Sequence, residues 1–98
     1  MKKRFVIMIN SATNEQNEKF KVYISEQKCG WWHWLTNSWL VTDSSGELTA
    51  AILRDNVDEC FPGVYNLVLE LRDKNDTWAG FGTTAKDKEM FKWVKANW

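Results

Sequence analysis

The sequence predicts one α+β domain, and three observations carry that prediction. Short β-branched and aromatic runs recur along the chain, two Ser/Thr-x-x-Glu/Gln helix starts fall between them, and turn-forming residues separate each run from the next. Ninety-eight residues suffice for one hydrophobic core, so the whole chain, 1–98, reads as a single domain. With 44% hydrophobic and 27% charged residues it has globular composition, neither disordered nor fibrous.

Phe5-Val6-Ile7-Met8-Ile9 is a short buried-strand pattern, stopped by the turn formers Asn10 to Asn14. Thr13 and Gln16 form a capping box, and Phe20, Tyr23, Ile24 and Gln27 share the face of a first helix that is expected to end at Gly30. Trp31 to Leu35 and Ser38 to Thr42 are two strands of a hairpin turning at Thr36-Asn37. Ser44 and Glu47 repeat the capping-box signal, and Leu48, Ala51, Ile52 and Asp55 mark a second helix whose apolar stripe ends near Val57. Phe61-Pro62-Gly63 is a turn. Val64 to Leu71 alternates as a further strand, expected to be covered on both faces over its middle. Asp73 to Asp76 is a polar loop, Trp78 to Gly82 an irregular aromatic-glycine segment, and Thr84 with Asp87 opens a C-terminal helix. The order βαββαβ, with that additional C-terminal helix, is the ferredoxin-like sandwich: a four-stranded antiparallel sheet with two helices on one face. Its other face is expected to be uncovered and to need a partner.

Seven tryptophans are the most unusual feature of the composition, and five of them, Trp31, Trp32, Trp34, Trp39 and Trp78, precede the last helix. An indole is large and carries an N–H that needs a partner when buried, so several are expected at a docking surface. The formal charge is zero, so no long-range field draws the chain to nucleic acid or to an anionic membrane. The longest apolar run, Phe5 to Ile9, is far below the ~20 residues of a membrane span. A cytoplasmic protein without membrane contact is therefore expected. Cys29 and Cys60 carry no CxxC or CxxH spacing and read as two reduced, partly buried thiols.

Phe5 to Asn10, the stretch Gly30-Trp31-Trp32-His33-Trp34-Leu35-Thr36-Asn37-Ser38-Trp39-Leu40-Val41, and Trp78-Ala79-Gly80-Phe81-Gly82 followed by a helix ending Trp93-Val94-Lys95 resemble the SinR-like small proteins. That group is related to the CRISPR-associated adaptation nuclease and to VapD-type ribonucleases. The resemblance covers most of the chain and implies a ferredoxin-like fold and a homodimer built by sheet faces meeting. Enzymatic members of the wider group hold a metal ion with an acidic residue at the end of the first strand, where this sequence has Asn10. A neutral amide is a poor ligand for a hard divalent cation.

The remaining signals point to binding rather than chemistry. Trp31, Trp32, Trp34 and Trp39 offer a stacking platform for bases, against the plainer reading that alternate residues of the hairpin enter the core and a dimer seam. His33, with Ser38 and Asp43 near it, lacks the oxyanion signature of a triad and reads as a hydrogen-bonded structural histidine. Lys88, Lys92 and Lys95 line one stripe of the last helix, with Trp93 at its border; they are either a phosphate-contacting ridge or a solvated face. Gly80-Phe81-Gly82 lacks the pattern of a phosphate loop.

These features define the expectation of a non-catalytic homodimer that binds a protein, a nucleotide-like ligand or, weakly, a polynucleotide through those tryptophans, His33 and the lysine ridge. No cofactor or metal is expected. The small size also suits an accessory protein of a phage or mobile element that inhibits a host defence system, and the competing expectation is a divalent-metal-dependent ribonuclease with displaced ligands. Because Asn10 stands where a carboxylate would be needed, RNA and DNA, single- or double-stranded, should survive incubation with the purified protein and Mg²⁺ or Mn²⁺. Chelator-sensitive hydrolysis that vanishes with Asp73→Ala or Asp76→Ala would establish the competing ribonuclease.

Overall fold

In a computed structural model, which describes residues 2–72, 78–84 and 89–98, the elements run β1 (Lys3–Ile9), α1 (Asn14–Glu26), β2 (Gly30–Leu35), β3 (Ser38–Asp43), α2 (Ala50–Cys60), β4 (Asn66–Leu71) and α3 (Lys92–Asn97). The four strands form one sheet in the order β2-β3-β1-β4, and every neighbouring pair is antiparallel. The first strand is thus central, flanked by β3 and β4. Strand alternation sends Phe5, Ile7 and Ile9 to the side where α1 and α2 pack, together with Trp39 and Val41 of β3. Phe20 of α1 meets the Trp39 ring edge-on at 5.1 Å, and Leu53 and Val57 of α2 complete this main core.

Local chemistry sets the helix ends, in two cases differently from expectation. At the start of α1 the capping box forms: the Gln16 N–H donates to Thr13 Oγ1, and the Thr13 N–H to Gln16 Oε1. The helix stops at Glu26, before Gly30. Lys28 takes the left-handed conformation at φ 59°, and the Cys29 and Lys28 N–H groups donate back to Ile24 and Ser25. That is a Schellman ending built without glycine. Gly30 is instead the first residue of β2.

The Ser44-Glu47 signal likewise fails to start α2. Buried Asp43 gathers the loop around itself, accepting from the Ser45 N–H at 3.0 Å, the Ser45 hydroxyl at 2.7 Å and the Leu48 N–H at 2.8 Å. Charge-assisted bonds to a carboxylate outcompete the cap, which passes to Thr49, whose hydroxyl accepts from the Ile52 N–H. The Phe61-Pro62-Gly63 turn is present: the Val64 N–H donates to Phe61, and Gly63 supplies the φ of 75° that such a turn demands.

Three expectations about the rest of the sheet are corrected. β4 begins at Asn66 and is an edge strand, so Leu67 and Leu69 are exposed on their face rather than covered. α3 spans only six residues; Asp87, expected to open it, lies outside the described residues, and Phe91 stands at the N-cap with no side-chain bond. The face opposite α1 and α2 is not bare, because α3 and the Trp78–Gly82 segment lie over part of it. Among the described residues no helix is long and apolar enough to cross a membrane.

Burial works to raise the Asp43 pKa, but the bonds from Leu48, Ser45 and Glu47 outweigh it and hold the carboxyl below its ordinary value. A depressed pKa stabilises the fold above the unfolded-state value of about 3.9 and ceases to do so as pH falls through the folded-state value. Asp43→Ala should therefore cost about 2–3 kcal/mol in urea unfolding at pH 7. On acidification below about pH 4, Asp43→Asn should lose less stability than the parent chain.

Candidate functional site

The second face of the sheet is apolar in its own right. Register places Leu69, Val6, Leu40 and Trp32 in one row across all four strands, because Leu69 and Leu40 both oppose Val6 and Trp32 opposes Leu40. The α3 end of this row is covered. Trp32 is buried, and its indole N–H donates to the Met90 carbonyl at 2.7 Å. Phe91 stacks on Trp32 with ring centroids 6.0 Å apart and reaches Trp78 at 5.3 Å. Two glycines permit this close packing. A Cβ at Gly30 would lie 2.6 Å from Thr42 Oγ1 and 3.0 Å from the Trp93 ring, and one at Gly80 would lie 2.5 Å from the Phe91 ring.

Between this C-terminal cover and the sheet lies a cleft of about 320 Å³, floored by Val6, Leu40 and Leu71 and walled by Trp32, Trp78 and Phe91. Phe81 stands beside it fully exposed. A second cleft, of about 530 Å³, adjoins the first and shares Leu71 and Trp98 with it. Its other lining residues are the charged Lys2, Lys3, Arg4, Glu70 and Arg72, of which Lys3 reaches Leu48 and Glu70 opposes Phe5, on the α1/α2 side of the sheet. Antiparallel pairing of β1 with β4 creates this concentration, because Arg4 opposes Leu71 and the basic start of β1 meets the end of β4. The ammonium groups of Lys2 and Lys3 donate to the carbonyls of Asn97 and Leu48, which are neutral, whereas Arg72 pairs with Glu70 at 3.1 Å. Arg4 donates to the backbone carboxyl oxygen of Trp98 and lies over the Trp98 ring, 5.3 Å from its centroid.

The residues singled out in the sequence are dispersed by the fold. The hairpin indoles form no common platform: Trp39 is in the main core, Trp31 packs against that core from the edge, Trp32 is under α3, and Trp34 is exposed. The indole N–H of Trp39 is buried without a hydrogen-bond partner, while the His33 ring lies flat on it at 3.9 Å. His33 Nδ1 is 2.9 Å from the Ser38 carbonyl, which fixes the proton on that nitrogen. His33, Ser38 and Asp43 therefore do not converge, since the Asp43 carboxylate serves its own loop. Trp78 is a partly exposed cleft wall and Trp93 packs over Gly30. Lys92 and Lys95 are exposed, Lys95 lying 3.9 Å from Glu89, and Lys88 lies outside the described residues.

Asn10 ties the end of β1 to the approach to β4: its side-chain oxygen accepts from the Tyr65 N–H and its own N–H donates to the Tyr65 carbonyl. Among the described residues no group of three or more His, Cys, Asp or Glu is placed to hold a metal ion; Asp73 and Asp76 lie outside them. Both cysteines are free. Burial, with the charge of Asp43 second, pushes the Cys29 thiol up to about 11, and burial also raises that of Cys60, so both are protonated at neutral pH.

Sequence reasoning missed Lys2, Arg4, Leu71, Arg72 and Trp98. The signal was present: a basic run leads into the first strand, Arg72 follows the last, and a βαββαβ sheet makes those strands neighbours. No family model, characterised protein or solved structure matches the chain. Because α3 docks through the space that Gly30 leaves, Gly30→Ala should cost about 1–3 kcal/mol of stability. The same change should increase acrylamide quenching of tryptophan fluorescence as Trp32 and Trp93 become accessible.

Proposed function

We propose that the protein is a non-catalytic, homodimeric binding protein of ferredoxin-like architecture, which pairs with its own copy along the β4 edge of the sheet and holds a ligand on the second sheet face. The strand order β2-β3-β1-β4, with every pair antiparallel and two helices on one face, is compatible with the ferredoxin-like reading. The non-catalytic reading is supported by the commitment of the reactive side chains described here: His33 is bonded to a carbonyl, Asp43 to its loop, and both thiols are protonated.

The observation that carries the dimer is the outer side of β4. Among the described residues no strand pairs with that edge, and its sequence, Asn66 to Leu71, holds no lysine, proline or bulge and a single charged residue, Glu70. The opposite edge, β2, is irregular in register between Trp32 and Leu35. Tyr65, Leu67 and Leu69 form an apolar strip beside the open edge, exposed at 82%, 54% and 42%. A second copy laid antiparallel on β4 would satisfy the edge and bring two such strips together, and a chain of zero net charge does not oppose the encounter.

Light scattering at micromolar concentration should return twice the 11.5 kDa chain mass. Leu69→Lys should return the monomer with an unchanged circular dichroism spectrum. A parent chain that stays at 11.5 kDa overturns the dimer.

A further inference from the structure

We infer that the apolar cleft between the sheet and its C-terminal cover is a binding site for a small, uncharged aromatic molecule of one or two rings. The inference rests on the binding-protein reading above and names the class of its ligand. The cover is fastened to itself, so that it stands over the sheet instead of closing onto it. Trp78 lies against Phe91, and the Met90 N–H donates to the Thr83 carbonyl at 3.2 Å. Gly80 and Gly82 press so closely on Phe91 and Met90 that a Cβ at either would strike the ring or the sulfur. The space left beneath is about 320 Å³, at the lower end of ligand-site volumes. A single helical turn with its side chains occupies roughly 400–600 Å³, so the cleft fits a small molecule and not a docked helix.

The chemistry of the lining sets the class. Among the described residues it holds no charged side chain, hydroxyl or carboxamide, and the buried Trp32 indole N–H is already donated to Met90. Water in such a cleft gives up hydrogen bonds, so an apolar body that displaces it gains affinity. An anion or a nucleotide would lose its hydration there without replacement. A ring is favoured over a saturated body because Trp32, Trp78, Phe91 and Trp98 wall the cleft, and an aromatic pair adds about two- to tenfold in affinity beyond the area it buries. The exposed strip of Tyr65, Leu67 and Leu69 is no part of the lining, so pairing along β4 and binding in the cleft use different residues.

The test titrates the parent chain at neutral pH, by calorimetry, with 2-naphthol, its saturated counterpart decahydro-2-naphthol, its charged counterpart 2-naphthoate, and adenosine monophosphate. The naphthol should bind saturably, at least about threefold more tightly than the saturated ring and at least about tenfold more tightly than either anion. In methyl-labelled parent protein, nuclear Overhauser effects should run from the naphthol ring protons to the methyl groups of Val6, Leu40 and Leu71, and not to those of Leu53 and Val57 in the main core. Val6→Phe, which fills the floor, and Trp78→Ala, in a partly exposed wall, should each weaken the naphthol at least about fivefold. Absence of saturable binding, equal or tighter binding of any of the other three compounds, Overhauser effects to the main core in place of the floor, or unchanged affinity in variants with the parent circular dichroism spectrum each overturns the inference. Light scattering on the same samples separates the two proposals. A dimer that binds no naphthol removes only this site, and a monomer that binds it removes only the dimer.

Discussion

The structure depends on a central strand that is apolar on both sides. β1 sends Phe5, Ile7 and Ile9 into the main core, while Val6 and Met8 point to the other face. A sheet built round such a strand must be covered twice, and the two long helices among the described residues both go to one face. The second layer is improvised from six helical residues and an aromatic-glycine segment. The clefts, the apolar strip on β4 and the packing at Gly30 all follow from that shortage.

The two faces also show how a small domain accommodates seven indoles. Trp39 and Trp31 are absorbed by the main core, and Trp32, Trp93 and Trp98 by the smaller core under α3. An aromatic side chain contributes roughly 1.5–3 kcal/mol on full burial, so the second core is held by a few large rings rather than by many aliphatic contacts. The unpartnered N–H of Trp39 opposes that gain, and the Trp32–Met90 bond adds to it.

Element type and order were legible in the sequence because they are local: β-branched runs, the Thr13–Gln16 box, the hairpin turn at Thr36-Asn37 and the Pro62-Gly63 turn act through neighbouring residues. What was illegible was tertiary. Gly30 looked like a helix terminator, yet its small size serves Trp93, sixty-three positions away. Ser44 and Glu47 looked like a cap until buried Asp43 claimed the loop. Of the two readings of the hairpin tryptophans, the stacking platform fails because strand alternation sends neighbours to opposite faces, as the plainer reading held. The charged cleft joins residues 2–4 to residues 70–72 and Trp98, so the basic run before β1 is local but its neighbours come from the sheet topology.

A helix of six residues does not hold together in water by itself, since nucleation costs more than so short a ladder returns. α3 therefore persists through its contacts: Val94 buried, Phe91 on Trp32, Trp93 over Gly30, and Lys2 and Arg4 donating to the backbone oxygens of Asn97 and Trp98 at its far end. The same residues that fasten the helix also line the clefts, so the wall of the site is the least independently stable element of the fold. A ligand that bound only the chain with α3 docked would stabilise that wall by mass action. The basic start of β1 thus acts at long range, with Lys2 and Arg4 holding the end of α3 against the sheet.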